Sequence, residues 1–290
     1  MNPTFLIFGY GYTASFLAKH LSKLHFDVIG TSRHPNQSDC LDANDCRLIP
    51  FTHDEIKKAL TSATHLLITA PPTPSGDPVI TQFESLIKEQ QHTIKWIGYL
   101  SSTGVYGDHQ GAWVDEQTVS NSLGERGVLR RNAEKAWLQL GQKYNLPVHV
   151  FRLSGIYGPH RNALKELLSG KNHSLYKEGQ FFSRIHVEDI CTILLKSMEH
   201  PNPLSIYNVA DDEPSSSHEV IQYAASLLNI PAPPLLPIEK ATLSPMAREF
   251  YSQNRRVSNV KIKKELLVQL NYPSYREGLT HEVISLTSSE

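Results

Sequence analysis

Gly9-Tyr10-Gly11-Tyr12-Thr13-Ala14 sets two glycines and an alanine in the spacing G-x-G-x-x-A, directly after the apolar run Phe5 to Phe8. That spacing can hold a dinucleotide diphosphate. Gly9 permits a tight turn, Gly11 lets the backbone approach the pyrophosphate, and Ala14 is small enough for a helix to pack on the preceding strand. The first helical turn, through Tyr12 and Thr13, offers unpaired N–H groups and a positive dipole end to phosphate oxygens. Tyr10 and Tyr12 either stack near the ligand or pack the turn. The next apolar run ends Gly30-Thr31-Ser32-Arg33-His34, with no carboxylate to bond a ribose 2′-hydroxyl. Arg33 can grip a 2′-phosphate through several N–H donors, and Ser32 can add a hydroxyl. NADP(H) is therefore expected, with NAD(H) the less favoured cofactor. Ala70 and Pro71, just past the run His65 to Thr69, are expected beside the same ligand.

These residues need strands and helices to hold them. Phe5 to Phe8, Asp27 to Gly30, His65 to Thr69, Lys95 to Ser101 and Pro147 to Phe151 read as short apolar strands. Between them, Ala14 to about Leu24 carries Phe16, Leu17, His20, Leu21 and Leu24 at helical spacing. Asn132 to Tyr144 places Ala133, Ala136, Trp137 and Leu140 on one face. Apolar strands alternating with helices predict an α/β fold, a Rossmann-type doubly wound parallel sheet with a smaller C-terminal substrate lobe. Residues 1–157 are expected to form the NADP(H)-binding domain. Residues 158–290 are expected to be mostly the lobe, with 183–212 returning to the first domain. Pro231 to Pro237 reads as a proline-rich turn after a helix from Ser217 to Leu228.

The chain has 290 residues and a formal net charge of −1, which gives no electrostatic case for nucleic acid or an anionic membrane as partner. Asn254-Arg255-Arg256 and Lys261 to Lys264 read as solvated basic faces. Cys40, Cys46 and Cys191 fit neither a metal pattern nor a redox pair, so reduced structural thiols and no metal site are expected. The apolar start is too short for a signal peptide, and no stretch approaches the roughly 20 residues that span a bilayer. A cytoplasmic protein is expected.

Leu100-Ser-Ser-Thr-Gly-Val-Tyr-Gly107 resembles the Ser-Ser-x-x-Val-Tyr-Gly segment of the short-chain dehydrogenase/reductase superfamily, extended branch, which includes NAD(P)-dependent sugar-nucleotide epimerases and dehydratases. Phe151 to Pro159, Arg184-Ile-His-Val-Glu-Asp189 and Ile206-Tyr-Asn-Val-Ala210 resemble later motifs of that family, in the same order. The resemblance implies that Ser102 bonds the substrate oxygen. It also implies substrate contacts by Thr103, Tyr106, His109, Arg161 and Arg256, the arginines suiting a nucleotide-sugar diphosphate, with Arg248 and Arg255 beside them. An anionic small molecule, a nucleotide sugar among the candidates, is the implied substrate, and a monomer or homodimer the implied assembly. His186 is expected to make a structural hydrogen bond, and Asp189 to cap or anchor the helix Ile190 to Met198.

One departure stands out. Counting back from Ala133-Glu134, the family's Tyr-x-x-x-Lys falls on Arg126 and Arg130, and no tyrosine lies between Tyr106 and Tyr144. Arginine keeps its proton and has no acceptor, so it cannot shuttle a proton as tyrosine does. Phe8 also replaces the first glycine of the extended branch's G-x-x-G-x-x-G. Arg126 and Arg130 share a helix face and either clamp an anionic substrate or form a solvated surface with an Arg130–Glu134 pair. His109 is a second candidate for the missing acid. Two functions follow. One is an epimerase-, dehydratase- or reductase-like enzyme, and the other a non-catalytic NADP(H)-binding redox sensor or regulator.

Overall fold

The computed structural model describes residues 2–33 and 45–287. His34 and Cys40 lie outside them. In chain order the elements begin with β1 (Thr4–Phe8), α1 (Tyr12–Lys23), β2 (Asp27–Ser32), β3 (Arg47–Pro50), α2 (His53–Ser62) and β4 (Ala63–Ile68). There follow α3 (Pro78–Glu89), β5 (Trp96–Ser102), β6 (Trp113–Val114), α4 (Glu125–Tyr144), β7 (Val148–Leu153), β8 (Gly155–Tyr157), α5 (Ala163–Leu168) and β9 (Ser174–Tyr176). The chain continues through β10 (Arg184–His186), α6 (Val187–Glu199), β11 (Ile206–Val209), α7 (Ser217–Leu227) and β12 (Leu235–Pro237). It closes with α8 (Pro245–Tyr251), β13 (Arg256–Val257), α9 (Val260–Glu265) and α10 (Tyr275–Thr287).

Seven strands form one sheet in the order β11-β7-β5-β4-β1-β2-β3, with β3, β2, β1, β4 and β5 pairing parallel. This is the expected Rossmann-type sheet. All five residues of β1 are buried, as a central parallel strand requires. The order reverses at β1, with β2 on one side and β4 on the other, so a crevice opens beyond the carboxyl ends of these three strands.

The chain divides into two compact units: residues 1–102, 125–152 and 191–207, and residues 103–124, 153–190 and 208–290. Their bounds differ from the expected boundary at 157, since 103–124 and 153–157 belong to the second unit. Within 183–212, residues 183–190 and 208–212 also belong there. The first unit's core packs Leu6, Phe8, Ile68, Phe83, Tyr99, Trp137 and Val150 together. α3 enters it through a strong start. Asp77 accepts from the backbone N–H of Val79 at 2.9 Å and of Ile80 at 3.1 Å, Pro78 opens the helix, and Val79, Phe83 and Ile87 are buried at four-residue spacing.

The second unit has its own core around Tyr157, Leu164, Ile221, Ala224, Tyr275 and Leu279. α7 starts on a capping box between Ser216 and Glu219. Three two-stranded parallel pairs, β8–β10, β9–β12 and β6–β13, supplement the helices. The proline-rich stretch is therefore not all turn, because Leu235–Pro237 pairs with Ser174–Tyr176. Cys46 and Cys191 are buried and unbridged, and burial pushes the Cys46 thiol up to about 12. No helix among the described residues is long and apolar enough to cross a membrane.

Candidate functional site

The crevice of the first unit has a volume of about 540 Å³ and is lined by the ends of three strands. Gly9, Tyr10 and Gly11 follow β1, Thr31, Ser32 and Arg33 end β2, and Thr69, Ala70 and Pro71 follow β4. Gly9 has φ +99°, and a Cβ there would sit 2.7 Å from Thr69 Oγ1 and 3.0 Å from the Ala70 nitrogen. Glycine is required for both reasons. Gly9 N–H donates to Thr31 Oγ1 at 2.9 Å, and the Thr69 hydroxyl donates to the Gly9 carbonyl. Two threonines thus clamp the turn from the neighbouring strands.

At Gly11, by contrast, a Cβ would meet nothing within 4 Å. Gly11 is the N-cap of α1 and makes no side-chain cap bond, so the first-turn N–H groups lack a side-chain acceptor there. Open space ahead of an uncapped helix start fits a diphosphate. Ala14 and Thr13 are buried in α1, and the Tyr12 ring packs 5.1 Å from that of Phe16. The side chains of these three therefore shape the turn rather than line the crevice. Sequence reasoning missed Thr31, Thr69, Phe51, Thr73 and Pro78 as lining residues. The Asp77-Pro78 helix start was the one local signal for the last of these.

Ser102 ends β5. Its neighbour Ser101 donates to Glu134 Oε1 at 2.6 Å, and Arg152 donates to the same carboxylate at 2.8 Å through Nη2. Glu134 and Arg152 are both buried, so the Arg130–Glu134 pair weighed from sequence does not form. Arg130 instead donates from Nη1 to the Leu100 carbonyl at 2.7 Å, two residues before Ser102, with its guanidinium 5.9 Å from the Tyr99 ring centroid. Arg126, one turn earlier, is exposed. Only one of the two arginines is therefore held against the end of β5.

In the second unit a larger cavity, also about 540 Å³, is lined by Arg161, Lys165, Lys171, Arg184, Tyr157 and Tyr275 among others. Lys171 pairs with Glu166 at 2.5 Å, and Arg184 is buried on the carbonyls of Phe182 and Ser215. Arg161 and Lys165 line this cavity beside them. Thr103 lines a separate small cavity with Arg255.

Other expectations are corrected here. Tyr106 is fully buried and donates its hydroxyl to Asn208 Oδ1 at 2.7 Å, which makes it a packing residue. His109 is held by the Tyr106 carbonyl, 3.1 Å from Nε2, so that nitrogen carries hydrogen as a structural donor. Arg255 and Arg256 are half-buried, against the solvated reading. Arg256 stacks 4.2 Å from the Phe181 ring centroid, and Arg248 donates to the Leu243 carbonyl. Asp189 accepts from the backbone N–H of Asn271 at 2.7 Å and Tyr272 at 3.0 Å, so it anchors the C-terminal segment and does not cap its own helix. His186 does make structural bonds: Nδ1 accepts from Glu188 N–H, which leaves Nε2 to donate to Glu282 at 3.3 Å.

Residues 85–210 match the family model described as NAD dependent epimerase/dehydratase family. A functionally unknown conserved protein from Silicibacter pomeroyi DSS superposes with a TM-score of 0.90 at 45% identity, covering 98% of this chain and 99% of that one. Protein YeeZ of Escherichia coli (strain K12) is 27% identical over 241 residues, 78% of this chain and 84% of its own length. A UDP-glucose 4-epimerase from Thermotoga maritima shares the fold, with a TM-score of 0.78 at 15% identity over 99% of each chain.

Proposed function

We propose that this chain, whose residues 85–210 match the NAD dependent epimerase/dehydratase family model, binds NADP(H) in preference to NAD(H) in its first unit and acts on a nucleotide sugar. The observation that carries the reading is the crevice at the sheet's switch point. It combines open space at Gly11, an uncapped helix start, and Arg33 at the end of β2 where no acid stands. When bound, the nicotinamide supplies or accepts a hydride. The pyrophosphate rests against the first-turn amides of α1, and Arg33 with Ser32 takes the 2′-phosphate. The Thermotoga relative was solved with UDP-glucose. Here the larger cavity of the second unit, with Arg161, Lys165 and Lys171, takes the substrate's diphosphate. Ser102 bonds the substrate oxygen, and Arg130 fixes the end of β5 and contributes positive charge. The protein works in the cytoplasm, a reading that suits Cys46 and Cys191, both buried thiols among the described residues.

A second reading, an NADP(H)-binding regulator without turnover, is favoured by one observation. Neither Arg126 nor Arg130 can shuttle a proton, and Arg130 already spends a donor on a backbone carbonyl. Steady-state cofactor turnover with a panel of nucleotide sugars separates the two.

Calorimetry with both dinucleotides tests the cofactor. NADP+ is expected to bind at least about tenfold more tightly than NAD+, from charge-assisted bonds to Arg33, and Arg33→Ala to bring the two affinities together. Equal affinities in the native chain would remove the preference for NADP(H). No heat from either dinucleotide with folded, nucleotide-free protein would remove the whole reading.

A further inference from the structure

The small cavity of the second unit, about 60 Å³, is lined by Thr103, Ser183, Gln253 and Arg255, with Phe182 and Phe250 forming an aromatic wall. The two rings stack in parallel with centroids 4.3 Å apart, Phe182 buried and Phe250 half exposed. Arg255 Nη1 donates to the Gly107 carbonyl at 2.8 Å and to Gln253 Oε1 at 2.9 Å. Its Nε is buried and has no hydrogen-bond partner among the described residues. No carboxylate among them lies within ion-pair distance of this guanidinium.

The Asp108 carboxylate, which accepts from the Asn254 N–H, acts on the Arg255 guanidinium through space without pairing with it. A guanidinium withdrawn from water without a direct ion pair is costly, and an anion supplied by a ligand lowers that cost. Burial lowers its pKa to about 10, so it stays cationic at neutral pH. Arg256, stacked on the lining residue Phe181, adds a second positive charge, and its Nε is likewise buried without a partner. The Ser183 hydroxyl accepts from the Val257 N–H at 3.0 Å, which leaves its own hydrogen to donate.

We infer that this cavity is a subsite for the carboxylate of a uronic-acid-type nucleotide sugar, with Arg255 taking the charge and Ser183 and Thr103 completing the donor set. The inference rests on the nucleotide-sugar reading above and narrows its substrate class. The volume suits one planar carboxylate, whereas a diphosphate needs room for two tetrahedral groups, which the larger cavity provides. The fork of Arg255 also matches carboxylate geometry better than a neutral hydroxymethyl group.

Calorimetry on the NADP+-loaded protein with UDP-glucuronic acid and UDP-glucose provides the test, because the two probes share a diphosphate and differ at the carboxylate. The uronate is expected to bind about tenfold more tightly, the worth of a charge-assisted pair. Arg255→Met is expected to bring that ratio to about one, and Arg255→Lys to keep part of it. Equal binding of the two probes by the native chain overturns the subsite and leaves the nucleotide-sugar reading standing. An unchanged ratio in a folded Arg255→Met chain also overturns it. If neither probe binds while NADP+ does, the substrate reading and this subsite fall together. The native comparison decides even if the methionine variant does not fold.

Discussion

Gly9 and Gly11 sit two residues apart and make opposite demands, which a pair of alanine substitutions separates. Gly9→Ala puts a methyl 2.7 Å from Thr69 Oγ1 on backbone with φ +99°, so it should cost about 1–3 kcal/mol of stability. Gly11→Ala meets no protein atom within 4 Å and should leave the melting temperature nearly unchanged. It should nonetheless weaken NADP+ binding at least about tenfold, because its methyl occupies the space proposed for the pyrophosphate. Full affinity in Gly11→Ala would place the diphosphate elsewhere. The role of both glycines was legible in sequence because a turn between strand and helix is a local matter. Arg255 was not. Asn254-Arg255-Arg256 looks like any basic surface run, and Arg255 is held by the Gly107 carbonyl, 148 positions away in the chain.

At the scale of elements, α4, β5 and β7 meet at the buried Glu134 carboxylate, which accepts from Ser101 and Arg152. Glu134→Leu leaves Arg152 buried without its partner and should cost about 3–5 kcal/mol in urea unfolding. Adding Arg152→Met should recover much of that loss. A single-variant cost below about 1 kcal/mol would show that the pair is not desolvated as the structure has it. β1, β2, β4, β5 and β7 were legible because a buried parallel strand is an unbroken apolar run. α2 and β3 were not singled out. α2 buries Ile56, Ala59 and Leu60 at helical spacing, a short period that the sequence reading passed over, and β3 has one buried residue, Ile49. Apolar spacing marked α4 only from Asn132, although Arg126 and Arg130 were already placed on one helix face, because its first turns are rich in charge.

Across the whole molecule, buried histidines tie stability to pH. His149 is fully buried, with its ring stacked 6.1 Å from that of Trp96, and burial lowers its pKa from 6.5 to about 4. The unfolded chain therefore takes up the proton first as pH falls. The stability contributed by the neutral ring is full above about 6.5 and drains away towards about 4. Partly exposed His65, whose pKa burial also lowers to about 4, acts in the same direction with a smaller effect. The unfolding free-energy gap between the native chain and His149→Phe should narrow by about 2–3 kcal/mol between pH 7 and pH 4. A gap that stays constant with pH would mean that His149 titrates normally in the fold.

The sequence by itself determined the alternating strands and helices, the glycine turn, the missing acid after β2 and the loss of Tyr-x-x-x-Lys. Each is written in residues a few positions apart, where periodicity and turn chemistry act. Only the tertiary structure decided which charged groups leave water: Glu134 with Arg152, Arg184 in its carbonyl cage, and Arg255 against the small cavity. Burial is the sum of neighbours drawn from the whole chain, and no local pattern carries that sum.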